Sequence, residues 1–237
     1  MEDIVIHYKF ALEDEQVVEY NIILDGESLV QKNMGAGNAP EWARLDICKC
    51  PHCPLQAAEY PYCPAARTIA NLLEDWKDTK PYDKVNLECR SPQRTITAET
   101  TAQHGLSSLI GLKMATSECP HMSFFRPMAR FHLPLSTPEE YSFRAITSYL
   151  LGQYFQQHGL PSAGEDVLLG LIKIYKNVEI VNSHIVERLQ TDKTQDMTVS
   201  AVVILDVLSK VLPDSVHECL EDLRYLFEPF LQNASNQ

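Results

Sequence analysis

Ile4-Val5-Ile6-His7-Tyr8-Lys9-Phe10, followed beyond Glu13-Asp14-Glu15 by Val17-Val18-Glu19-Tyr20-Asn21-Ile22-Ile23-Leu24, decides the fold class. In the first run Ile4, Ile6, Tyr8 and Phe10 fall on alternate positions, the period that puts one face of a strand in a core. The second run is β-branched and apolar, and the acidic stretch between them makes a turn, so the pair reads as a β-hairpin. Residues 85–89 and 95–100 flank Ser91-Pro92 in the same manner and predict a second hairpin. Four antiparallel strands are expected.

Outward from the strands the period changes to that of helices. After Pro64, which suits a first helical turn, Ile69, Leu72, Leu73 and Trp76 share one face and predict a helix of about three turns over 65–76. Leu106, Leu109, Ile110 and Met114 predict another over 103–116, ending before Cys119-Pro120-His121. Residues 26–39, with Asn33, Gly35, Gly37 and Asn38, read as a loop. Thr137 followed by Pro138 and Glu140 is a capping-box signature, and from it helices are predicted over 138–157, 166–189 and 197–212, with a shorter fourth over 215–230. The fold class is α+β: a small antiparallel sheet from two β-hairpins with helices, followed by a C-terminal helical layer. Residues 1–134 form the cysteine-containing part and 135–237 the helical part, packed together as one domain.

With 237 residues and 45% hydrophobic content, the chain can bury a core without disulfide staples. A formal net charge of −12 repels phosphate, so neither nucleic acid nor an anionic membrane surface is an expected partner. The start, Met1 onward, lacks the basic, apolar and small-residue regions of a signal peptide, and the longest apolar run, 199–208, is too short to cross a bilayer and carries Asp206. A cytoplasmic setting is expected. Seven cysteines in a reducing compartment point to metal or redox chemistry ahead of disulfides.

Cys50-Pro51-His52-Cys53 is a C-x-x-C turn, a spacing that lets two thiolates reach one ion. Cys63 lies ten residues further on, just before a helix whose N-terminal pole favours a thiolate. Cys119 completes the four sulfurs a tetrahedral site takes. Cys50, Cys53, Cys63 and Cys119 are each followed by proline, whereas Cys48, Cys89 and Cys219 are not. Proline averages about 5% of residues, so the pairing groups these four as metal ligands. Zinc is the expected cofactor, with an iron–sulfur cluster as the alternative and a metal-free C-x-x-C redox pair as a third reading. Cys48, His52, His121 or His132 could stand in for Cys119. The plain reading, buried thiols packing as small hydrophobes, suits Cys89 and Cys219.

The stretches Cys50-Pro51-His52-Cys53-Pro54-Leu55, Tyr62-Cys63-Pro64-Ala65-Ala66, and Cys119-Pro120-His121 through Phe124-Phe125-Arg126-Pro127-Met128-Ala129-Arg130-Phe131-His132-Leu133-Pro134 resemble a bacterial family of uncharacterised proteins, a domain of unknown function, over most of the chain. That resemblance implies a bacterial cytoplasmic protein with this cysteine pattern, and no reaction, substrate or partner. The Cys-Pro-x-Cys turn also resembles the knuckles of rubredoxins and zinc ribbons, but ends in Pro54 where those have glycine.

Arg126 and Arg130 stand among aromatics beside Cys119, where they could bind a small anion or instead pair with acidic residues. Glu139-Glu140 and Glu74-Asp75 are adjacent on helices and do not face each other, so they read as solvated faces, and His184 reads as a core or boundary histidine. No glycine-rich nucleotide loop or serine-hydrolase elbow occurs, so no reaction is assigned. The sequence therefore predicts a metal-binding protein whose zinc site supports a surface for an unknown protein partner or a small anion. The apolar stripe over 199–212 is core or a homodimer face.

Overall fold

The computed structural model describes residues 1–13, 15–33, 39–157, 168–191 and 196–234. Four strands, β1 (Ile4–Leu12), β2 (Val17–Leu24), β3 (Lys84–Ser91) and β4 (Arg94–Thr101), form one antiparallel sheet in the order β2-β1-β3-β4. Alternation fixes the register: Ile4 faces Leu24, Ile6 faces Ile22, Tyr8 faces Tyr20 and Phe10 faces Val18, and all eight are buried. Val85, Leu87 and Cys89 of β3 extend this apolar face opposite Leu12, Phe10 and Tyr8.

Helices α1 (Pro64–Ile69) and α2 (Leu72–Asp75) lie between β2 and β3 in the chain, and α3 (Ala102–Ala115) follows β4. The helix expected over 65–76 is two pieces, because the chain tightens at Ala70, whose N–H bonds to the Arg67 carbonyl three residues back. Bent this way, Ile69, Leu72, Leu73 and Trp76 are all buried. Trp76 meets Phe10 edge to face, with centroids 4.9 Å apart, and donates Nε1–H to Tyr20 Oη at 2.9 Å.

A 3-10 turn (Pro120–Phe125), α4 (Arg126–Arg130), α5 (Pro138–Gln157), α6 (Leu169–Gln190), α7 (Asp196–Leu223) and α8 (Glu228–Ala234) complete the fold. The capping box forms as predicted: Glu140 N–H donates to Thr137 Oγ1 at 3.2 Å, and Thr137 N–H to Glu140 Oε2 at 2.8 Å. The separate helices expected over 197–212 and 215–230 are instead the continuous α7, running through Pro213, then a short turn and α8. Proline removes one helical hydrogen bond, a local cost that burial of Val202, Val216 and Leu223 along the same element offsets. Of the loop expected over 26–39, residues 34–38 lie outside the described residues, as does the predicted start of α6 at 166–167. Buried side chains of the sheet and of α1 through α7 join in one hydrophobic cluster.

Candidate functional site

The four singled-out cysteines come from three stretches of irregular chain laid side by side. Cys50 and Cys53 share a tight turn closed by Cys53 N–H to the Cys50 carbonyl at 3.0 Å, and Lys49 Nζ caps the Leu55 carbonyl at 2.6 Å. Cys63 is anchored by its own N–H to the Ala43 carbonyl at 2.8 Å, beside a bridge between Arg44 and Tyr62. Cys119 follows α3, its N–H donating to Ser117 Oγ at 3.3 Å.

Cys63 and Cys119 are built alike. Each precedes a proline that starts a helical turn, and their backbones nearly superpose, at φ −65°, ψ 120° and φ −65°, ψ 121°. Proline forces the preceding residue out of the helical region, so the Cys-Pro pair sets this conformation itself. Neither thiol closes a capping hydrogen bond, but the Cys63 sulfur faces the N–H groups of Ala66 and Ala65, and Cys119 faces that of His121. These amides favour a thiolate over a thiol.

The sulfurs feel one another. Desolvation first, then the neighbouring Cys63 and Cys53, push the Cys50 thiol up to about 11. Cys119 is pushed up to about 12 by burial, then by Cys63, with Cys50 and Cys53 adding to it. Burial raises Cys63 as well. Cys48, with a left-handed φ of 42°, is not among the electrostatic neighbours of Cys50, Cys63 or Cys119. All seven cysteines are free thiols. Among the described residues, no three His, Cys, Asp or Glu side chains converge closely enough to hold a metal ion as they stand.

Sequence reasoning missed Arg188. This α6 residue is 1% exposed, and its guanidinium donates to the carbonyls of Trp42, Arg44 and Leu45. No carboxylate pairs with it among the described residues, its Nε lacks a hydrogen-bond partner, and its charge bears on Cys50 and Cys63, opposing their raised pKa values. A cation buried without an ion-paired counter-charge is costly; its charge bears on the Asp46 carboxylate as well as on these thiols, which as thiolates supply further negative charge. An isolated arginine in a helical pattern gives no signal in sequence.

The remaining candidates separate. His52 and His121 stack and donate Nε2–H to the carbonyls of Asn177 and His52, at 3.1 and 3.0 Å. His132 bonds Tyr8 Oη at 2.5 Å, on the side of Cys89, and is not among the electrostatic neighbours of Cys50, Cys63 or Cys119. Arg126 donates to the Ser117 carbonyl at 3.2 Å, and Arg130 lies over the Phe131 ring, 5.3 Å from its centroid. Among the described residues neither arginine pairs with a carboxylate.

Fold and site together define an α+β protein with a cluster of mutually coupled thiols around a buried arginine. The chain belongs to the family described as Domain of unknown function (DUF6901), whose profile matches residues 6–228. No curated protein and no solved structure matches it. Among the described residues no helix is long and apolar enough to cross a membrane.

Proposed function

We propose that the chain is a metal-binding protein in which Cys50, Cys53, Cys63 and Cys119 together ligate one zinc ion at a structural site. What supports this reading is that the fold brings Cys50, Cys53, Cys63 and Cys119, from three separate stretches, near enough for their charges to bear on the Cys50, Cys63 and Cys119 thiols, with Arg188 beside Cys50 and Cys63 as a counter-charge. A tetrathiolate zinc centre is doubly negative, and a buried guanidinium together with the Ala65, Ala66 and His121 amides would offset part of that charge. Zinc would supply a crosslink between the turn at Cys50, the start of α1 and the end of α3. In the metal-free chain Cys50, Cys63 and Cys119 are held protonated by burial, so binding requires a small closure of the turn and release of thiol protons. The site then supports a surface for a protein partner or a small anion, in a reducing, cytoplasmic setting.

The test is elemental analysis and an absorption spectrum of the full chain purified without oxygen. One zinc per chain, no visible band, and loss of zinc from Cys63→Ser and Cys119→Ser support the reading. Iron with broad visible absorbance transfers the same four ligands to an iron–sulfur cluster. A folded protein with neither metal, whose thiols take up no added zinc, overturns it.

A further inference from the structure

A second feature lies apart from the cysteines. Helices α3 through α7 line a partly open cavity of about 410 Å³, inside the range of about 300–1,000 Å³ typical of small-molecule sites. Its wall is largely apolar and includes Met114, Met122, Met128 and Leu205, with Arg144 and His132 among its polar groups. Three of the chain's six methionines therefore face one space, and methionine adapts readily to the shape of a flexible apolar guest.

Arg144 gives the cavity its chemical sense. Its guanidinium donates to the carbonyls of Met128 at 2.7 Å and Phe131 at 3.1 Å, and to Ser136 Oγ at 3.4 Å. Of its five N–H groups, Nε–H and one on Nη1 are left without a partner among the described residues. Among the described residues no carboxylate lies within ion-pairing distance; the charge of Glu140 acts on it from further off, and that carboxylate accepts the Thr137 amide. His132, on the same wall, is kept neutral by burial and then by Arg144, which push its pKa down to about 3, so it adds no competing charge. The cavity thus joins one incompletely paired cation to an apolar interior.

We propose that this cavity binds a monocarboxylate with an aliphatic tail of medium length, its carboxylate on Arg144 and its tail among the three methionines. A dianion or nucleotide does not fit so apolar a wall. A purely apolar guest leaves the guanidinium unmatched.

Octanoate, with 1-octanol as its uncharged counterpart, is the probe. The full chain labelled with carbon-13 at its methionine methyl groups is titrated with each and followed by NMR, with calorimetry for affinity. Octanoate is expected to bind saturably and to shift Met114, Met122 and Met128 while leaving Met1 and Met197 in place. 1-Octanol is expected to bind at least about tenfold more weakly, and Arg144→Gln to weaken octanoate by about tenfold or more without changing 1-octanol. Should Arg144→Gln not fold, the octanoate and octanol comparison on the unaltered chain decides alone. Equal affinity for the two probes, no saturable octanoate binding, or shifts away from the three methionines overturns the proposal.

Discussion

The imidazole of His52 lies on that of His121, ring centroids 3.9 Å apart and planes 19° from parallel, and each ring ends a Cys-Pro-His tripeptide. Because His121 also donates to the His52 carbonyl, the two tripeptides clip the turn carrying Cys50 and Cys53 to the one carrying Cys119. Removing the clip by His121→Ala should cost about 1–2 kcal/mol in urea unfolding, from one hydrogen bond and one ring pair. A pH effect accompanies it. Desolvation, then His121, lowers the pKa of His52, so below about 6.5 the unfolded chain takes up a proton that folded His52 resists. This contribution to stability is present above that pH and is lost as pH falls through the folded value. The variant should lose less stability than the parent between pH 7 and pH 5, and an identical slope would separate the stack from the acid response.

Arg188 ties α6 to the cysteine region through three backbone carbonyls. Arg188→Met leaves those carbonyls unpaired in a buried place and should cost about 3–5 kcal/mol by chemical denaturation. Arg188→Lys keeps the charge but not the planar fork, and should fall between the two. The charge also has its own readout. Losing it removes the influence that lowers Cys50 and Cys63, so thiolate absorbance in the metal-free protein should appear at higher pH in Arg188→Met than in Arg188→Lys.

Alkaline pH should destabilise the metal-free protein. Burial and then neighbouring thiols push Cys50 up to about 11 and Cys119 up to about 12, whereas an unfolded cysteine titrates at roughly 8.5, the free value. Between these values the folded chain holds protons that the unfolded chain has released, so stability is full below about pH 8.5 and falls as pH rises towards the folded values. Cys119→Ser should flatten that fall by one thiol. The buried Tyr8 and Tyr20 act in the same direction but are common to both proteins and cancel in the difference. With zinc bound, the ligands of the unaltered chain are already thiolates and their part of its fall over this range should disappear, whereas Cys119→Ser, which loses the zinc, should keep the fall of its remaining thiols.

The sheet was legible because period two is imposed at every position: shifting Ile6 or Tyr8 by one residue would turn the whole apolar set to solvent. The start of α5 was legible because Thr137, Pro138 and Glu140 act locally. The shared extended backbone of Cys63 and Cys119 was legible because each precedes a proline, which acts on the residue before it. What escaped depends on separation in sequence. Arg188 acts on carbonyls 143 to 146 residues away, and neither its burial nor its lack of a carboxylate partner has a local signature. The cavity at Arg144 arises only where α3 through α7 meet. Pro213 misled for a related reason: its local cost was legible, but the burial that carries α7 past it was not.

Two glycines on exposed and buried helix faces give opposite expectations. A Cβ at Gly152 in α5 would meet nothing within 4 Å, so Gly152→Ala should stabilise by about 0.5–1 kcal/mol through the smaller backbone entropy lost on folding. A Cβ at Gly105 in α3 would stand 2.9 Å from Phe10 Cε1. Phe10 cannot retreat, because it is wholly buried and held by the rings of Tyr8, Tyr20 and Trp76. Overpacking of this kind costs about 1–3 kcal/mol, which exceeds the gain in helix propensity, so Gly105→Ala should lower stability by about 1–2 kcal/mol. At this chain length that is a fall of roughly 2–8 °C in Tm, readable by calorimetry. Gly105→Ala proving as stable as Gly152→Ala would mean that α3 does not press on the sheet at Phe10, and the placement of α3 over β1 would have to be abandoned.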